Sequence, residues 1–333
     1  MNTFGNRNIS VSFDQYQRYC NTADIIDKIR KNNEKFNILE IGAGGHRNLE
    51  RFLLIDEITY LDIELSDEYK NDSSYILGDA TNMETISDNS YDCVIALDVY
   101  EHIPEEKRNE FLSEIVRVSN KLFIIAAPFN TPGVSEAEIR VNEYYKAKYG
   151  EDYIWLKEHI ENGLPNLNQT LNFLTRKEGL KIQHFSHGSL ILWEKLIRMH
   201  FEVADNLNIQ SYRQVVDDFY NKILYHNDVS NENYRNFILG YMPTLGDDLA
   251  QTQGSFNKIY ETNLLELDSL IQSVNYLNSQ SQLDQLKDQL KDQLEEFRKI
   301  LESKKFVNRV KRLIKLFLPN SVIIKIQNHR SEV

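Results

Sequence analysis

The sequence has little cysteine, glycine or proline and no long apolar run. Its 333 residues include 2 Cys, 13 Gly and 6 Pro, which excludes a disulfide scaffold and a collagen-like chain. The longest uninterrupted apolar run, Leu122 to Phe129, is far shorter than the ~20 residues that span a bilayer. Met1 to Ser12 is polar and lacks the apolar centre of a secretion signal. We therefore expect a cytoplasmic protein.

Size and charge narrow the class further. A hydrophobic fraction of 41% supports a substantial core, and the length is near twice the ~150 residues of an average domain, so we expect one large domain with an accessory region. The net charge is −12, yet residues 301–333 carry eight Lys or Arg against two Glu. Because duplex nucleic acid requires a broad basic surface, the acidic body argues against nucleic acid as a partner.

Short apolar runs in the first half of the chain alternate with helix-like segments. The runs are residues 37–41, 58–61, 75–77, 92–97 and 122–126. Continuous apolar strands separated by helices are typical of a parallel sheet that is covered on both faces. The sequence therefore predicts an α/β, doubly wound fold. Residues 180–185 and 234–240 are two further candidate strands, with a helical insertion at about 190–228 between them.

A glycine loop follows the first predicted strand. Glu40 ends that strand, and Gly42, Ala43 and Gly44 lead into a predicted helix. Glycines let the backbone approach a ligand closely, and open α/β sheets bind ligands beyond the carboxyl ends of their strands. Arg47 occupies the position where a dinucleotide fingerprint has glycine, which argues against a pyrophosphate cofactor.

Acidic residues follow the next three strands. Asp62 ends the second strand, where an acid can accept hydrogen bonds from ribose hydroxyls. Asp79 follows the third strand, over the position of an adenine ring, and Asp98 ends the fourth. A nicotinamide enzyme has no particular use for the acid at the third strand, whereas an adenosine ligand with a free amino group does.

Together these segments resemble the class I S-adenosylmethionine-dependent methyltransferases. The resemblance covers roughly Asn8 to Met242, and its diagnostic segments lie between Phe36 and Phe129. It implies a methyltransferase domain over residues 1–243, with a seven-stranded Rossmann-like sheet whose last strand is antiparallel. One position departs from the family pattern, because His46 stands where the family has its third glycine, a change that bears on the fit of the loop to the cofactor carboxylate.

The resemblance also implies which residues contact S-adenosylmethionine. The leading segment, residues 13–19, would cover the methionine end of the cofactor. The glycine loop and the acids of the strand ends would hold the rest, with Asp62 at the ribose and Asp79 at the adenine. The cofactor-binding set is Arg18, Tyr19, Glu40, Gly42, Ala43, Gly44, Asp62, Ile63, Asp79, Ala80 and Asp98.

Two histidines are candidates for a general base. A hydroxyl acceptor must lose its proton as the new bond forms, and the ordinary pKa of histidine suits that role. His102 follows the fourth strand, and His159 lies in a stretch, residues 155–165, that resembles methyltransferases of bacterial surface-polysaccharide biosynthesis. Each histidine could instead serve only packing. No Cys/His cluster has metal-ligand spacing, so no metal is expected.

The C-terminal part changes character. Leu283, Leu286, Leu290 and Leu294 recur at helical spacing, which predicts a coiled coil over residues 255–303 and a homo-oligomer. A solvated helix that folds back on the body is the alternative. Residues 304–333 form a basic amphipathic segment that predicts peripheral contact with an anionic membrane, at the inner face of the cell membrane. The same segment could pack on the acidic body or on a partner.

Three functions remain open at this level. The first is a methyltransferase that O-methylates a glycan or a lipid-linked saccharide, in the modification or capping of a surface polysaccharide. The second is a methyltransferase of a soluble small molecule. The third is a scaffold that keeps the fold without turnover and recruits partners through its coiled coil.

Overall fold

The structure is a computed structural model that describes residues 9–246, 249, 261–302 and 308. The chain divides into a larger unit that ends at Asn275 and a smaller unit that starts at Tyr276. The larger unit contains the sheet and the candidate site. The described part of the smaller unit is the C-terminal part of one long helix.

The larger unit is built on one mixed sheet. Its strands are β1 (Asn37–Ile41), β2 (Glu57–Asp62), β3 (Tyr75–Leu77), β4 (Tyr91–Leu97), β5 (Ser119–Pro128), β6 (Lys181–Ser189) and β7 (Asn233–Tyr241). They lie in the order β3-β2-β1-β4-β5-β7-β6. Neighbouring strands from β1 to β5 pair in parallel, and β7 is antiparallel to both β5 and β6. The predicted α/β sheet of seven strands, with its last strand antiparallel, is confirmed.

Helices connect and cover the strands. They are α1 (Phe13–Ile29), α2 (Leu49–Phe52), α3 (Arg108–Val118), α4 (Pro132–Tyr149), α5 (Ile154–Asn162), α6 (Leu167–Leu174), α7 (Leu190–Val203), α8 (Gln210–Phe219) and α9 (Glu261–Glu302). The stripe of α3 is representative, because Phe111, Leu112 and Ile115 are each at most 1% exposed and recur at the spacing of one helical face. The predicted helical insertion is present as α7 and α8 between β6 and β7.

The sheet order explains where a ligand can bind. The chain first builds β1, β2 and β3 in one direction and then crosses back to place β4 on the other side of β1. Loops at the carboxyl ends of β1 and β4 therefore diverge and leave a crevice at this reversal. Within the described residues, no helix has the length and apolar character needed to cross a membrane.

Candidate active site

The loops after β1, β2 and β3 are held together by backbone hydrogen bonds at the carboxyl edge of the sheet. The Gly42 amide donates to the Leu61 carbonyl at 2.8 Å, and the Gly78 amide donates to the Asp62 carbonyl at 2.9 Å. These bonds align the three loops with one another. The predicted acids are consequently presented along one edge.

Glu40 lies buried at the end of β1. It is 1% exposed, and its Oε1 accepts a hydrogen bond from the hydroxyl of Tyr19 on α1 at 2.8 Å. Its Oε2 is buried without a hydrogen-bond partner. Burial raises the pKa of Glu40 to about 8. The structure thus brings together the predicted site residues Tyr19 and Glu40, which are 21 positions apart in the chain.

The glycine loop needs glycine for two different reasons. Gly42 has φ +71°, and a Cβ there would lie 2.5 Å from Cγ2 of Val99, so both backbone conformation and space exclude a side chain. Gly44 has φ +58°, but no atom lies within 4 Å of the Cβ position. The loop backbone at Gly44 therefore faces open space that a ligand can approach. Ala43 is 7% exposed.

Asp62 stabilises this loop from the end of β2. Its Oδ2 accepts a hydrogen bond from the Gly44 amide at 2.9 Å, and its Oδ1 accepts one from the Glu64 amide at 3.4 Å. The carboxylate remains partly exposed, so its oxygens keep the capacity to accept from a ligand. The next residue, Ile63, is 69% exposed, which leaves an apolar side chain beside the carboxylate.

Asp79 closes the loop after β3. Its Oδ1 accepts from the Thr81 amide at 2.8 Å and from the Thr81 hydroxyl at 2.7 Å, and Lys107 Nζ lies 3.7 Å from Oδ2. Hydrogen bonds from Thr81 lower the pKa of Asp79. Ala80 is 8% exposed and packs in the core beneath the loop. Thr81 thus engages Oδ1, and Oδ2, which faces Lys107, keeps further acceptor capacity for a ligand amino group.

Asp98 is engaged by two arginines. Arg235 of β7 donates through Nε at 2.7 Å and Nη2 at 2.5 Å to the two carboxylate oxygens, and Arg18 Nη1 lies 3.3 Å from Oδ2. Burial alone would raise the pKa of Asp98, but Arg235 and Arg18 lower it to about 2. The side chain was predicted to contact the cofactor. In this structure it orders the arginines at the end of β4.

The two candidate histidines face each other. His102 ends a 3-10 turn after β4, His159 lies on α5, and their Nε2 atoms are 3.3 Å apart. Nδ1 of His102 lies 2.9 Å from Oε2 of Glu158, and Nδ1 of His159 lies 2.9 Å from Oε1 of Glu138. Both predicted histidines therefore share one site.

Protonation differs between the two imidazoles. Burial and the neighbouring His159 lower the pKa of His102. Burial also opposes the charge of His159, but the hydrogen bond and charge of Glu138 outweigh it and raise the pKa of His159. Beside them, burial and the charge of Asp98 raise the pKa of Glu101 to about 8. Titratable groups with such shifts are typical of functional sites.

Two functional residues were not predicted from the sequence. Arg235 binds Asp98 across 137 positions, and Glu138 accepts from both His159 and the Tyr234 hydroxyl, the latter at 2.8 Å. Both are buried, although charged residues are rarely buried unless paired. No sequence spacing signals their role, because α4 and β7 approach the end of β4 only in the folded sheet.

The residues at this edge fit the adenosyl group that the resemblance implies. Gly44 leaves the space into which a Cβ would project open, so a ligand can contact the loop backbone. Asp62 and Asp79 offer carboxylate oxygens, which are acceptors for ribose hydroxyls and for an amino group. The buried and unpartnered Oε2 of Glu40 is a further polar atom for which a bound ligand can supply a partner.

Comparison with known proteins agrees with this assignment. Residues 39–122 match the family model described as "Methyltransferase domain", a range that runs from within β1 to the first part of β5. No curated protein matches the chain. The match includes the glycine loop and the three acidic strand ends.

Several solved structures are similar to the chain at low sequence identity. A SAM dependent methyltransferase from Archaeoglobus fulgidus is 18% identical, with 68% of this chain and 94% of that chain covered and a TM-score of 0.40. The plantazolicin methyltransferase BpumL in complex with SAH is 14% identical, with 68% and 85% covered and a TM-score of 0.41. Because these TM-scores are below 0.5, the assignment rests on the family model and on the site. The chain is an enzyme, a methyltransferase whose cofactor is S-adenosylmethionine.

Proposed function

We propose that this enzyme methylates a hydroxyl group of a glycan or of a lipid-linked saccharide. The observation that carries the proposal is the pair of facing imidazoles at the end of β4, with Nε2 atoms 3.3 Å apart. This pair lies next to the carboxyl edge of the sheet, where the cofactor-binding residues are. A hydroxyl acceptor needs such a group, because its proton must leave as the new bond forms.

Different residues of the site bind the cofactor and accept the proton of the acceptor. S-adenosylmethionine supplies a methyl group bonded to a positively charged sulfur. Asp62 and Asp79 hold the nucleoside, so that the acceptor and the methyl group can be aligned. Burial and the neighbouring His159 lower the pKa of His102, which favours the neutral imidazole, and a neutral imidazole can accept a proton. Glu158 holds the ring of His102 in orientation through Nδ1.

The surroundings of His102 support a saccharide acceptor. The indole of Trp155 contacts His102 edge to face, with ring centroids 5.5 Å apart, and Trp155 is 52% exposed. Its neighbour Glu158 has a side chain that is 39% exposed. An exposed aromatic face beside a carboxylate can contact the C–H face and the hydroxyls of one sugar ring.

A methyl-transfer assay tests this function. The enzyme is incubated with radiolabelled S-adenosylmethionine and with glycan, lipid-linked saccharide or small-molecule extracts, and the labelled product is identified by mass spectrometry. We expect methyl ethers of sugar hydroxyls, with a rate that falls by ~10²–10⁴-fold in His102→Asn. His184→Asn, on an exposed position of β6, is the control and should keep full activity. Label found only in soluble small molecules, or only on nitrogen or carbon, would exclude the saccharide.

We also propose that α9 associates with a second copy of itself. Leu283, Leu286, Leu290 and Leu294 are 44%, 53%, 51% and 67% exposed, and their spacing places them along one side of the helix. An exposed row of leucines on a long helix is typical of a coiled-coil seam. The predicted coiled coil begins outside the described residues, at 255, whereas the helix spans Glu261–Glu302.

Charge on the leucine row should disrupt this association. We expect the double variant Leu283→Glu, Leu290→Glu to be a monomer in light scattering, because the carboxylates would have to be buried in the seam. The matched control is Gln285→Glu, Gln289→Glu, which adds the same charge outside the leucine row and should leave the oligomer intact. Identical masses in solution for the two double variants would contradict the proposal.

The basic segment 304–333 lies outside the described residues except Asn308, and its membrane contact stays a prediction.

A further inference from the structure

Three potential ligand groups converge beside the cofactor edge. Glu101 is 0% exposed, and both of its carboxylate oxygens are buried without a hydrogen-bond partner. One ligand atom from each of Glu101, His102 and His159 can be chosen so that all three lie within 4.8 Å of one another. A buried carboxylate without partners is costly. Something with positive charge or with hydrogen-bond donors is therefore expected at this point.

The outer partners of the imidazoles determine what the inner nitrogens offer. Glu158 and Glu138 lie at hydrogen-bond distance from Nδ1 of His102 and His159. As acceptors, these carboxylates hold each ring hydrogen on Nδ1. Both Nε2 atoms then direct lone pairs into the space that they share with Glu101. The same arrangement, with a carboxylate behind each histidine, orients histidines that bind metal ions.

The distances agree with metal coordination. Two metal–nitrogen bonds of ~2.0–2.1 Å at a tetrahedral angle place the nitrogens ~3.3–3.4 Å apart. The Nε2 atoms of His102 and His159 are 3.3 Å apart. Glu138 is itself held in place, because it also accepts from the Tyr234 hydroxyl. The two imidazoles are therefore already positioned as neighbouring ligands.

We propose that Glu101, His102 and His159 bind a divalent transition-metal ion. Two imidazoles and one carboxylate suit zinc, manganese or iron(II) better than magnesium or calcium, which prefer all-oxygen sites. Asp98 is not part of the set, because Arg235 and Arg18 occupy its oxygens. Three protein ligands leave a coordination position open.

The open coordination position gives the ion a role in methyl transfer. This role rests on the proposed function. The hydroxyl oxygen of the acceptor would take that position, and the positive charge of the ion lowers the pKa of a bound hydroxyl. With the ion bound, His102 and His159 would hold it through Nε2 in place of the direct proton acceptance that a free imidazole offers, and the proton of the acceptor hydroxyl would pass to solvent water. Trp155, which contacts His102, would border the acceptor.

Cobalt binding tests the site without any methyl acceptor. The full chain is treated with a chelator, dialysed and titrated with Co²⁺, which reports its coordination number through visible absorption, and then with Zn²⁺ in a calorimeter. We expect one ion per chain, bound with low coordination number. Glu158→Gln removes an outer carboxylate and should weaken binding by ~10–100-fold. Glu101→Gln and His159→Asn remove ligands and should weaken it by more than that, with folding of each variant verified by circular dichroism.

The control and the contrary outcomes separate this inference from the function. His184→Asn, at an exposed position of β6, should bind the ion as the unaltered chain does. Absence of cobalt absorption in the unaltered chain would overturn the metal site, and so would equal cobalt affinity in Glu101→Gln. The short distance between the two Nε2 atoms would then be explained by a proton that the imidazoles share. If chelated enzyme methylates a saccharide at the full rate, the proposed role of the ion fails while the function stands. If the chain binds the ion but the methyl-transfer assay finds no methylated hydroxyl, the site stands and the proposed function is contradicted.

Discussion

Replacing Asp62 with alanine is expected to weaken binding of S-adenosylmethionine and of its demethylated product by about 10–100-fold. Asp62 presents carboxylate oxygens at the end of β2 and also accepts the Gly44 amide hydrogen bond. Hydrogen bonds to charged groups contribute ~1.5–3 kcal/mol each, and every ~1.4 kcal/mol corresponds to a tenfold change in affinity. Isothermal titration calorimetry with the demethylated product measures the change directly.

Two further variants show whether the Asp62 carboxylate itself binds the cofactor or only supports the glycine loop. Asp62→Asn keeps an acceptor oxygen for Gly44 and should retain a larger part of the affinity than Asp62→Ala. Asp67→Ala removes an acid whose side chain is 95% exposed and pairs with Lys70, so its affinity should equal that of the unaltered chain. Equal affinity in Asp62→Ala and Asp67→Ala would show that the β2 carboxylate does not hold the nucleoside.

Replacing Arg235 with methionine is expected to lower the free energy of unfolding by ~3–5 kcal/mol, because it leaves the Asp98 carboxylate without its main partner in a buried site. Arg235 is 2% exposed and binds both oxygens of Asp98. Chemical denaturation gives the free energy. Lys70→Met, at a surface pair with Asp67, should cause no measurable change. A double variant that adds Asp98→Asn should recover part of the loss, since the carboxylate that Arg235 paired with is then replaced by a neutral amide.

The same ion pair predicts how stability depends on pH. The pKa of Asp98 is lowered from its ordinary 3.8 to about 2, so the folded protein binds this proton less readily than the unfolded chain does. The stabilisation is complete above pH ~4 and is lost as the pH falls towards ~2. Stability of Arg235→Met should therefore fall less steeply between these values. Parallel pH profiles for the two proteins would contradict the assignment.

Much of the sheet can be predicted from the sequence because its strands are buried on both faces. The run at residues 75–77 coincides with β3, and the run at 37–41 coincides with β1. The predicted ends of β5 and β6 were less accurate, because polar residues such as Ser119 and Ser186 extend the strand pairing beyond the apolar run. Hydrogen bonding with a neighbouring strand, rather than local composition, determines where such a strand ends.

The candidate site likewise contains residues that the sequence predicts and contacts that it does not. Gly42, Asp62 and Asp79 could be found because each follows a strand at a fixed distance, and parallel strands bring their carboxyl ends to one edge. His102 and His159 could be named individually from residue type, but their separation of 57 positions gives no sign that their rings meet. The expectation that no metal binds relied on spacing along the chain, and such spacing does not reveal that Glu101, His102 and His159 lie close together in the fold.

The sequence by itself determined the class of fold, the glycine loop and the acidic strand ends, because these depend on local periodicity and on the regular geometry of parallel strands. Only the tertiary structure decided that Arg235 binds the carboxylate of Asp98 and that the imidazoles of His102 and His159 lie beside the buried carboxylate of Glu101. Those contacts join α4, α5 and β7 to the end of β4 across long stretches of chain. They depend on how helices pack on the sheet, and such packing leaves no repeating pattern in the sequence.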